Sequence, residues 1–204
     1  MTEADKMHNQ SLYNPGDPAI AAVQVECLEK LYDYNHTRPS EAARRTALLE
    51  AMFADIGKDC YLEPPFHSNF GGHHVHLGDG VYANFNLTLV DDTHITIGSR
   101  TMIGPNVTIA TAGHPILPEL RARGLQYNAP VFIGENCWLG AGVIVLPGVT
   151  IGDNVVIGAG SVVTHDLPSN VVAFGDPCKI ARPINDHDRD FYFKNHRIDP
   201  AMLN

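Results

Sequence analysis

The sequence predicts a mainly β protein, a parallel β-helix of hexapeptide repeats preceded by an α-helical segment. Three observations support this prediction: apolar residues recur every six positions from about residue 75, that period stops between residues 111 and 130, and apolar residues before residue 60 recur at helical spacing. We therefore expect an N-terminal helical segment over 1–60, a β-helix domain over 61–183 with a loop excursion at 111–130, and a C-terminal tail over 184–204.

The hexapeptide period is clearest in two runs of aliphatic residues. Each aliphatic residue is usually followed by glycine or a small residue, and a second small or branched residue comes four positions after the first. This pattern predicts strands that are too short to bury a core singly and do so by stacking coil upon coil. A Rossmann-type protein would alternate strands with helices of about 10–15 residues, and an antiparallel sandwich would space its strands by about 8–12 residues. The positions in phase are Ile97, Ile103, Ile109, Ile133, Leu139, Val145, Ile151, Ile157 and Val163.

The residues before the repeats have the pattern of two helices. Asp17 can cap the first helix and Pro18 can occupy its first turn. We predict a second helix that Ser40 caps and Gly57 ends. The apolar stripes expected to pack on the β-helix are Ile20, Val23, Cys27 and Leu31 in the first helix, and Leu48, Leu49, Met52, Phe53 and Ile56 in the second.

The composition narrows the class of protein. The chain has 204 residues, 44% of them hydrophobic, and a net charge of -9, which disfavours a general nucleic-acid binder because duplex phosphates would be repelled. No stretch approaches the ~18 apolar residues of a membrane span, and the charged first thirty residues lack the apolar core of a secretory signal. The four cysteines form no CxxC pair, which is typical of free thiols. We expect a soluble cytoplasmic protein without nucleic-acid or membrane partners.

The interruption at residues 111–130 is the first candidate functional feature. Long loops in compact domains are uncommon and often carry function. His114 lies in this loop between Gly113 and Pro115, where the backbone is constrained. Histidine has an unperturbed pKa near ~6.5 and can act as a general base at neutral pH. The alternative is a purely structural solenoid, which the period alone does not exclude.

Six short motifs follow one another along the chain: Asn35-His36, Glu63-Pro64-Pro65, Tyr82-Ala83-Asn84-Phe85-Asn86, Val90-Asp91-Asp92, Gly113-His114-Pro115 and Gly134-Glu135-Asn136-Cys137-Trp138. In this order and spacing they resemble the galactoside acetyltransferase family, with maltose and nodulation-factor acetyltransferases as relatives. The resemblance extends over about residues 12–197, and the tail is similar to the galactoside branch. It implies a left-handed coil, a homotrimer with active sites between subunits, and acetyl-CoA as cosubstrate without a metal. The implied reaction transfers acetyl to a hydroxyl, the 6-hydroxyl, of a galactoside or related sugar by direct attack in a ternary complex.

The resemblance also implies roles for residues of the reacting centre. His114 matches the family's catalytic base, and Asn84 matches a residue beside the base and the acetyl end of the cofactor. Asp92 matches a carboxylate that contacts the sugar. Asn69 lies where galactoside enzymes have a hydroxyl or an acid that contacts the acceptor, and Asp17 lies close to the family's N-terminal sugar-binding aspartate.

For CoA, the resemblance implies a groove between the coils of adjacent subunits. Trp138, the only tryptophan, occupies a cofactor-side position, and a backbone N–H near Gly140 or Ala141 is expected to stabilise the oxyanion. Lys179 and Arg182 match a basic pair that meets the 3′-phosphate and the adenosine end. The whole expected cofactor set is Asn84, Trp138, Gly140, Ala141, Ala159, Thr164, His165, Lys179 and Arg182.

Two other interpretations stay open at this point. The acceptor can instead be maltose or glucose, an amino sugar or a xenobiotic, because the acceptor residues discriminate poorly between them. A metalloenzyme like the γ-type carbonic anhydrases has the same fold, and His73, His74, His76 and His114 offer ligands. Against it, His74 and His76 alternate along one strand, whereas that class uses separated histidines from adjacent coils and subunits.

Overall fold

The computed structural model describes residues 1–203, and short parallel strands, numbered here in chain order, form three sheets around one core. The first face contains β1 (Asp55–Ile56), β4 (Val75–Leu77), β7 (Ile95–Ile97), β12 (Val131–Ile133) and β15 (Thr150–Ile151). The second contains β2 (Tyr61–Leu62), β5 (Tyr82–Ala83), β8 (Met102–Ile103), β13 (Trp138–Leu139), β16 (Val156–Ile157), β18 (Val171–Phe174) and, antiparallel to β18, β19 (Lys179–Pro183). The third contains β3 (His67–Ser68), β6 (Thr88–Val90), β9 (Thr108–Ala110), β14 (Ile144–Val145) and β17 (Val162–Val163).

The strand register confirms the predicted parallel β-helix of hexapeptide repeats. Ile133 pairs with Ile151 on the first face, and Leu139 pairs with Ile157 on the second, in each case 18 positions apart. Three hexapeptides therefore complete one coil, and each aliphatic residue stacks on its equivalent in the next coil. These side chains are buried, as is the residue four positions later, for example Cys137. The stacked aliphatic residues form the continuous core that no single strand could bury.

Asparagines make many of the turns between faces. Asn86, Asn106, Asn136, Asn154 and Asn170 all have φ between 52° and 63°, the left-handed region that asparagine tolerates better than most residues. Their amides bond to one another across coils, as in Asn136 Nδ2 to Asn154 Oδ1 at 2.9 Å. There are two such ladders at different corners, Asn86–Asn106 and Asn136–Asn154–Asn170, and neither includes Asn84.

The predicted N-terminal helical segment is confirmed, with changes to its boundaries. The helices are α1 (Glu3–Met7), α2 (Pro18–Asn35) and α3 (Ala42–Met52). Asp17 caps α2 as expected. The prediction for Ser40 is wrong, because Glu41 takes the N-cap position of α3 without a side-chain bond. The helix ends before Phe53, not at Gly57, because the chain turns there into β1, which pairs with β4 and opens the first face before residue 60.

The interrupted stretch and the tail have secondary structure of their own. Residues 111–130 form a hairpin in which β10 (Ala112–Gly113) pairs antiparallel with β11 (Tyr127–Asn128), with α4 (Pro118–Arg121) between them. In the tail, α5 (Asp186–Asp190) precedes a hairpin of β20 (Phe191–Phe193) and β21 (His196–Arg197), then a 3-10 turn at Pro200–Leu203. The division into three segments at residues 60 and 183 stays a prediction.

Candidate active site

Most of the predicted site residues lie at two different corners of the coil. We call the turns that follow the third face the His114 corner, and the turns that follow the second face the Ala141 corner. The His114 corner comprises residues 69–74, 91–94, 111–130, 146–149 and 164–166, and the Ala141 corner comprises residues 63–66, 84–87, 104–107, 140–143 and 158–161. Asn69, Asp92, His114, Thr164 and His165 lie at the first, and Asn84, Gly140, Ala141 and Ala159 at the second.

His114 lies exposed just after β10 on the outgoing arm of the excursion. Its Nδ1 lies 2.8 Å from the carbonyl oxygen of Leu125 on the return arm. Because a carbonyl only accepts hydrogen bonds, Nδ1 carries the hydrogen and the neutral ring keeps the lone pair on Nε2. Gly113 lets the two arms approach, since a Cβ there would lie 2.8 Å from the Tyr127 ring. The hairpin therefore holds an imidazole with a free basic nitrogen.

Asp92 is buried at the same corner, one coil before the excursion. Its Oδ2 accepts a hydrogen bond from Asn69 Nδ2 at 2.7 Å, and its Oδ1 accepts one from Gln126 Nε2 at 2.9 Å. Gln126 follows Leu125, so the return arm contacts both Asp92 and His114. The structure thus brings Asn69, Asp92 and His114 together around one short segment.

The neighbouring Asp91 has a different role. Its oxygens accept hydrogen bonds from the Ser68 hydroxyl at 2.6 Å and from the backbone N–H groups of Phe70 and Gly72 at 2.8 and 2.9 Å. Burial raises the pKa of this carboxyl, and the three hydrogen bonds oppose that rise. Asp91 therefore braces the 68–72 turn, while Asp92 faces the excursion.

Sequence reasoning missed Leu125 and Gln126. Leu125 acts through its backbone carbonyl, so its side chain carries no signal of the contact. Gln126 is one polar residue in a polar excursion, and only the antiparallel pairing of β10 with β11 brings it under Asp92. The sequence shows that the excursion exists, but it does not show how the two arms of the excursion pair.

At the Ala141 corner, the two backbone donors considered for the oxyanion differ in their hydrogen bonding. The Gly140 N–H already donates to the Ile157 carbonyl at 2.8 Å in the strand ladder. The N–H groups of Ala141 and Ala159, by contrast, donate no hydrogen bond within residues 1–203, and both residues are exposed. They occupy equivalent places in successive coils. The corner therefore offers two stacked backbone donors.

Glycine keeps these donors open. A Cβ built at Gly104 would lie 2.8 Å from the Ala141 nitrogen, and one at Gly140 would lie 2.6 Å from the Ala159 nitrogen. Any larger residue would cover the N–H or push the coils apart. Asn84 lies half-buried at the same corner, where its Oδ1 accepts from the Phe85 N–H at 2.8 Å.

Trp138 belongs to a row of large side chains on the outer side of the second face. Strand register places Tyr61, Tyr82, Met102 and Trp138 in line, and Trp138 is 53% exposed. The Tyr61 and Tyr82 rings are nearly parallel, with centroids 6.5 Å apart. A lone chain therefore exposes a continuous apolar row beside the Ala141 corner.

Asp17, Lys179 and Arg182 lie outside both corners, whereas Thr164 and His165 lie at the His114 corner. Arg182 makes a bidentate ion pair with Asp188, at 2.6 and 2.7 Å, and this pair lowers the pKa of Asp188 to about 2. Lys179 is exposed on β19. The Thr164 hydroxyl contacts its neighbour, with Oγ1 2.7 Å from His165 Nδ1. Asp17 uses Oδ1 to accept from the Ala19 N–H at 2.9 Å.

The histidines named for a metal site are arranged differently from that interpretation. His73, His74 and His76 pack with His8 and His94, whereas His114 is bound to Leu125 on the excursion. Within residues 1–203, no three His, Cys, Asp or Glu side chains are arranged to hold a metal ion. None of the helices in the described part of the chain has the length and apolar character to cross a bilayer.

Comparison with known proteins adds two family matches. Residues 130–165 match the bacterial transferase hexapeptide model (six repeats), and residues 6–57 match the maltose acetyltransferase hexapeptide capping motif. Galactoside O-acetyltransferase of Lactococcus lactis is 55% identical over 95% of this chain and 94% of its own, and that of Escherichia coli is 49% identical over 84% of each. A solved galactoside acetyltransferase in complex with coenzyme A superposes with a TM-score of 0.95 at 43% identity, covering 98% of this chain and 99% of that one.

Proposed function

The chain belongs to the galactoside O-acetyltransferase family of hexapeptide-repeat acyltransferases, and on that premise we propose that it transfers acetyl from acetyl-CoA to the 6-hydroxyl of a galactoside or related sugar. The relatives bear that activity in their names, and one solved relative holds coenzyme A. The observation that carries the proposal is His114, exposed on the excursion with Nδ1 committed to Leu125 and Nε2 free.

His114 acts as the general base. A sugar hydroxyl is almost fully protonated at neutral pH, so a positioned base must remove its proton as the new C–O bond forms. Nε2 takes that proton while the sugar oxygen attacks the thioester carbonyl directly, in a ternary complex. The tetrahedral intermediate collapses by breaking the C–S bond, and the histidinium returns the proton to the departing sulfur of CoA. The products are the acetyl ester and the free CoA thiol, and His114 is neutral again.

The developing oxyanion is stabilised from the Ala141 corner. The unpaired Ala141 N–H supports this role, since a donor already aimed into solvent costs no reorganisation when charge develops. Asn84, at the same corner, orients the acetyl group through its side-chain amide. Trp138, Ala159, Thr164, His165, Lys179 and Arg182 complete the cofactor contacts, with Arg182 exchanging Asp188 for phosphate.

The working enzyme is a homotrimer with its active sites between subunits. His114 and Asp92 lie at one corner of the coil, and Asn84 and Ala141 lie at another. Two copies, packed with the His114 corner of one against the Ala141 corner of the next, bring base and cofactor donors together. The exposed row that ends in Trp138 supports contact between copies on that side, because burying it removes apolar surface from water.

Asp92 and Asn69 bind the acceptor. A carboxylate and an amide accept and donate to sugar hydroxyls, and both groups are already oriented toward each other. Asp17 is a further acceptor contact in this proposal, although its Oδ1 also caps α2. These few groups can distinguish galactosides from maltose, glucose or amino sugars only by the positions of the sugar hydroxyls.

The test is CoA release from acetyl-CoA with a panel of galactosides, maltose, glucose and chitin oligomers. Wild type is compared with His114→Ala and with His196→Ala, a matched change on exposed β21, outside both corners. We expect turnover on a pyranoside that falls roughly 10²–10⁴-fold in His114→Ala and stays unchanged in His196→Ala. Equal rates in wild type and His114→Ala would disprove the base, and the rank order across the panel identifies the acceptor.

A further inference from the structure

A buried polar cluster includes the proposed acceptor-binding carboxylate. It consists of Tyr13, Asp92, Gln126 and Asn128, whose exposed fractions lie between 1% and 7%. Gln126 Nε2 lies 2.6 Å from the Tyr13 hydroxyl oxygen, 2.9 Å from Asp92 Oδ1 and 3.0 Å from Asn128 Oδ1. Burial raises the pKa of Tyr13 to about 12, so its hydroxyl stays protonated. Asn128 reaches Asp92 only at its backbone carbonyl, whereas Gln126 donates to the Asp92 carboxylate itself.

The orientation of the Gln126 amide is set by its surroundings. A carboxylate offers only acceptors, so the amide must turn its NH₂ group, and not its oxygen, toward Asp92. The backbone of Gln126 is fixed as well, because its N–H donates to the Tyr13 carbonyl at 3.1 Å and its carbonyl accepts from the Tyr13 N–H at 2.9 Å. The N-terminal segment around Tyr13 therefore fixes the backbone of Gln126.

Leu125 and Gln126 each hold one of the two groups proposed to act on the acceptor, the base His114 and the carboxylate Asp92. The carbonyl of Leu125 holds Nδ1 of His114, and the side chain of Gln126 holds Oδ1 of Asp92. Asn69 takes the other oxygen of Asp92. Each carboxylate oxygen has two lone pairs, so this arrangement uses one on each and leaves one on each for a ligand.

We propose that Gln126 is a positioning residue that holds Asp92 in the orientation that accepts hydrogen bonds from the sugar, and so sets acceptor affinity without touching the reacting atoms. This inference rests on the proposed sugar acetyltransferase function. Without the Gln126 donor, Asp92 Oδ1 loses its partner, and the carboxylate is free to turn away from the acceptor. Acetyl-CoA binding, which involves mainly the Ala141 corner, is independent of Gln126.

The experiment measures KM for the acceptor, KM for acetyl-CoA, kcat and the midpoint of thermal unfolding. Gln126→Met keeps the length of the side chain and removes its polar atoms, and Gln24→Met on α2 is the matched control. We expect Gln126→Met to raise the acceptor KM roughly ten- to hundredfold, as for loss of a hydrogen bond to a charged group, with kcat and the acetyl-CoA KM within about twofold of wild type. Gln24→Met should change neither KM.

A second variant, Gln126→Glu, tests the same contact through pH. Two carboxyl groups in hydrogen-bond range cannot both ionise easily, so one of them titrates at raised pH. Of the groups bonded to Gln126, Asp92 and Tyr13 are the titratable ones, and Tyr13 stays neutral throughout. The quantity compared is the ratio of the acceptor KM of Gln126→Glu to that of wild type at the same pH. We expect this ratio to be near one at pH 5.5 and to rise about tenfold or more by pH 8.

The outcomes separate this inference from the function on which it rests. Sugar turnover in wild type together with an unchanged acceptor KM in folded Gln126→Met would overturn the inference and leave the proposed function intact. If Gln126→Met does not fold, a KM ratio for Gln126→Glu that is independent of pH overturns it in the same way. No turnover on any sugar in wild type would overturn both.

Discussion

Acidification is expected to destabilise the protein through His74. This side chain is 9% exposed and packs against His8 and Phe70, with Nδ1 2.6 Å from the Asp91 carbonyl oxygen. Its pKa is lowered from 6.5 to about 4, with burial as the largest cause and the nearby imidazoles as smaller ones. The hydrogen bond to Asp91 acts in the opposite direction and raises the pKa. The titratable groups around it are His8, His73, His94 and Asp91.

The magnitude follows from proton linkage. Because the native pKa is depressed, the native protein binds its proton later than the unfolded chain does. The stability that His74 contributes is therefore fully present above pH 6.5 and is lost as pH falls toward 4. With these two values, lowering the pH from 7 to 5 costs about 2 kcal/mol, and complete titration costs about 3 kcal/mol. Burial also lowers the pKa of His8 and His94, which adds in the same direction.

The assay is urea unfolding followed by circular dichroism at pH 7 and pH 5, at one fixed protein concentration, because subunit association contributes to apparent stability. His74→Asn is the comparison, since an asparagine amide can still donate to the Asp91 carbonyl but does not titrate. We expect wild type to lose about 2 kcal/mol more than His74→Asn between the two pH values. An equal loss in both proteins would refute the reasoning, because proton uptake by His74 would then not be linked to unfolding.

Two further predictions concern the cofactor side. Trp138→Ala should raise the KM for acetyl-CoA about tenfold, equivalent to ~1.4 kcal/mol of lost aromatic contact, while the acceptor KM measured in the same steady-state assays stays unchanged. Asp188→Asn should free Arg182 for phosphate and lower the KM for acetyl-CoA about two- to threefold, a small effect because an exposed ion pair is worth little. A higher KM for acetyl-CoA in Asp188→Asn would contradict this, because it would mean that the ion pair with Arg182 holds the tail in the position that binds the cofactor.

The fold could be predicted from the sequence because the six-residue period of aliphatic residues is repeated in every coil. Each coil contributes three aliphatic positions at fixed spacing, so a wrong expectation in the helical segment, such as Ser40 as a cap, does not disturb the pattern of the strands. The helix ends were harder, because strand pairing from β1 competes with helix continuation after Met52. Pairing of that kind depends on residues more than twenty positions away.

The candidate site could be predicted only in part from the sequence. The sequence alone singled out His114, because a six-residue period that breaks at one place marks that place. It could not identify the Leu125 carbonyl that selects the tautomer of His114, since every residue has a carbonyl. Nor could it decide between Gly140 and Ala141 as the open backbone donor, because hydrogen bonds in the strand ladder become known only when the coils are stacked.

What the sequence by itself determined is the repeat, the helical cap before it, the excursion and the identity of the groups with chemistry to offer. These are local properties, set by side-chain type and by spacing along one strand or helix. What only the tertiary structure decided is which groups meet: Asn69 and Gln126 on the two oxygens of Asp92, Arg182 on Asp188, and base and backbone donors at different corners. The physical reason is that hydrogen-bond partners are chosen by distance and direction in space, and residues far apart in the chain become neighbours only after each coil closes on the one before it.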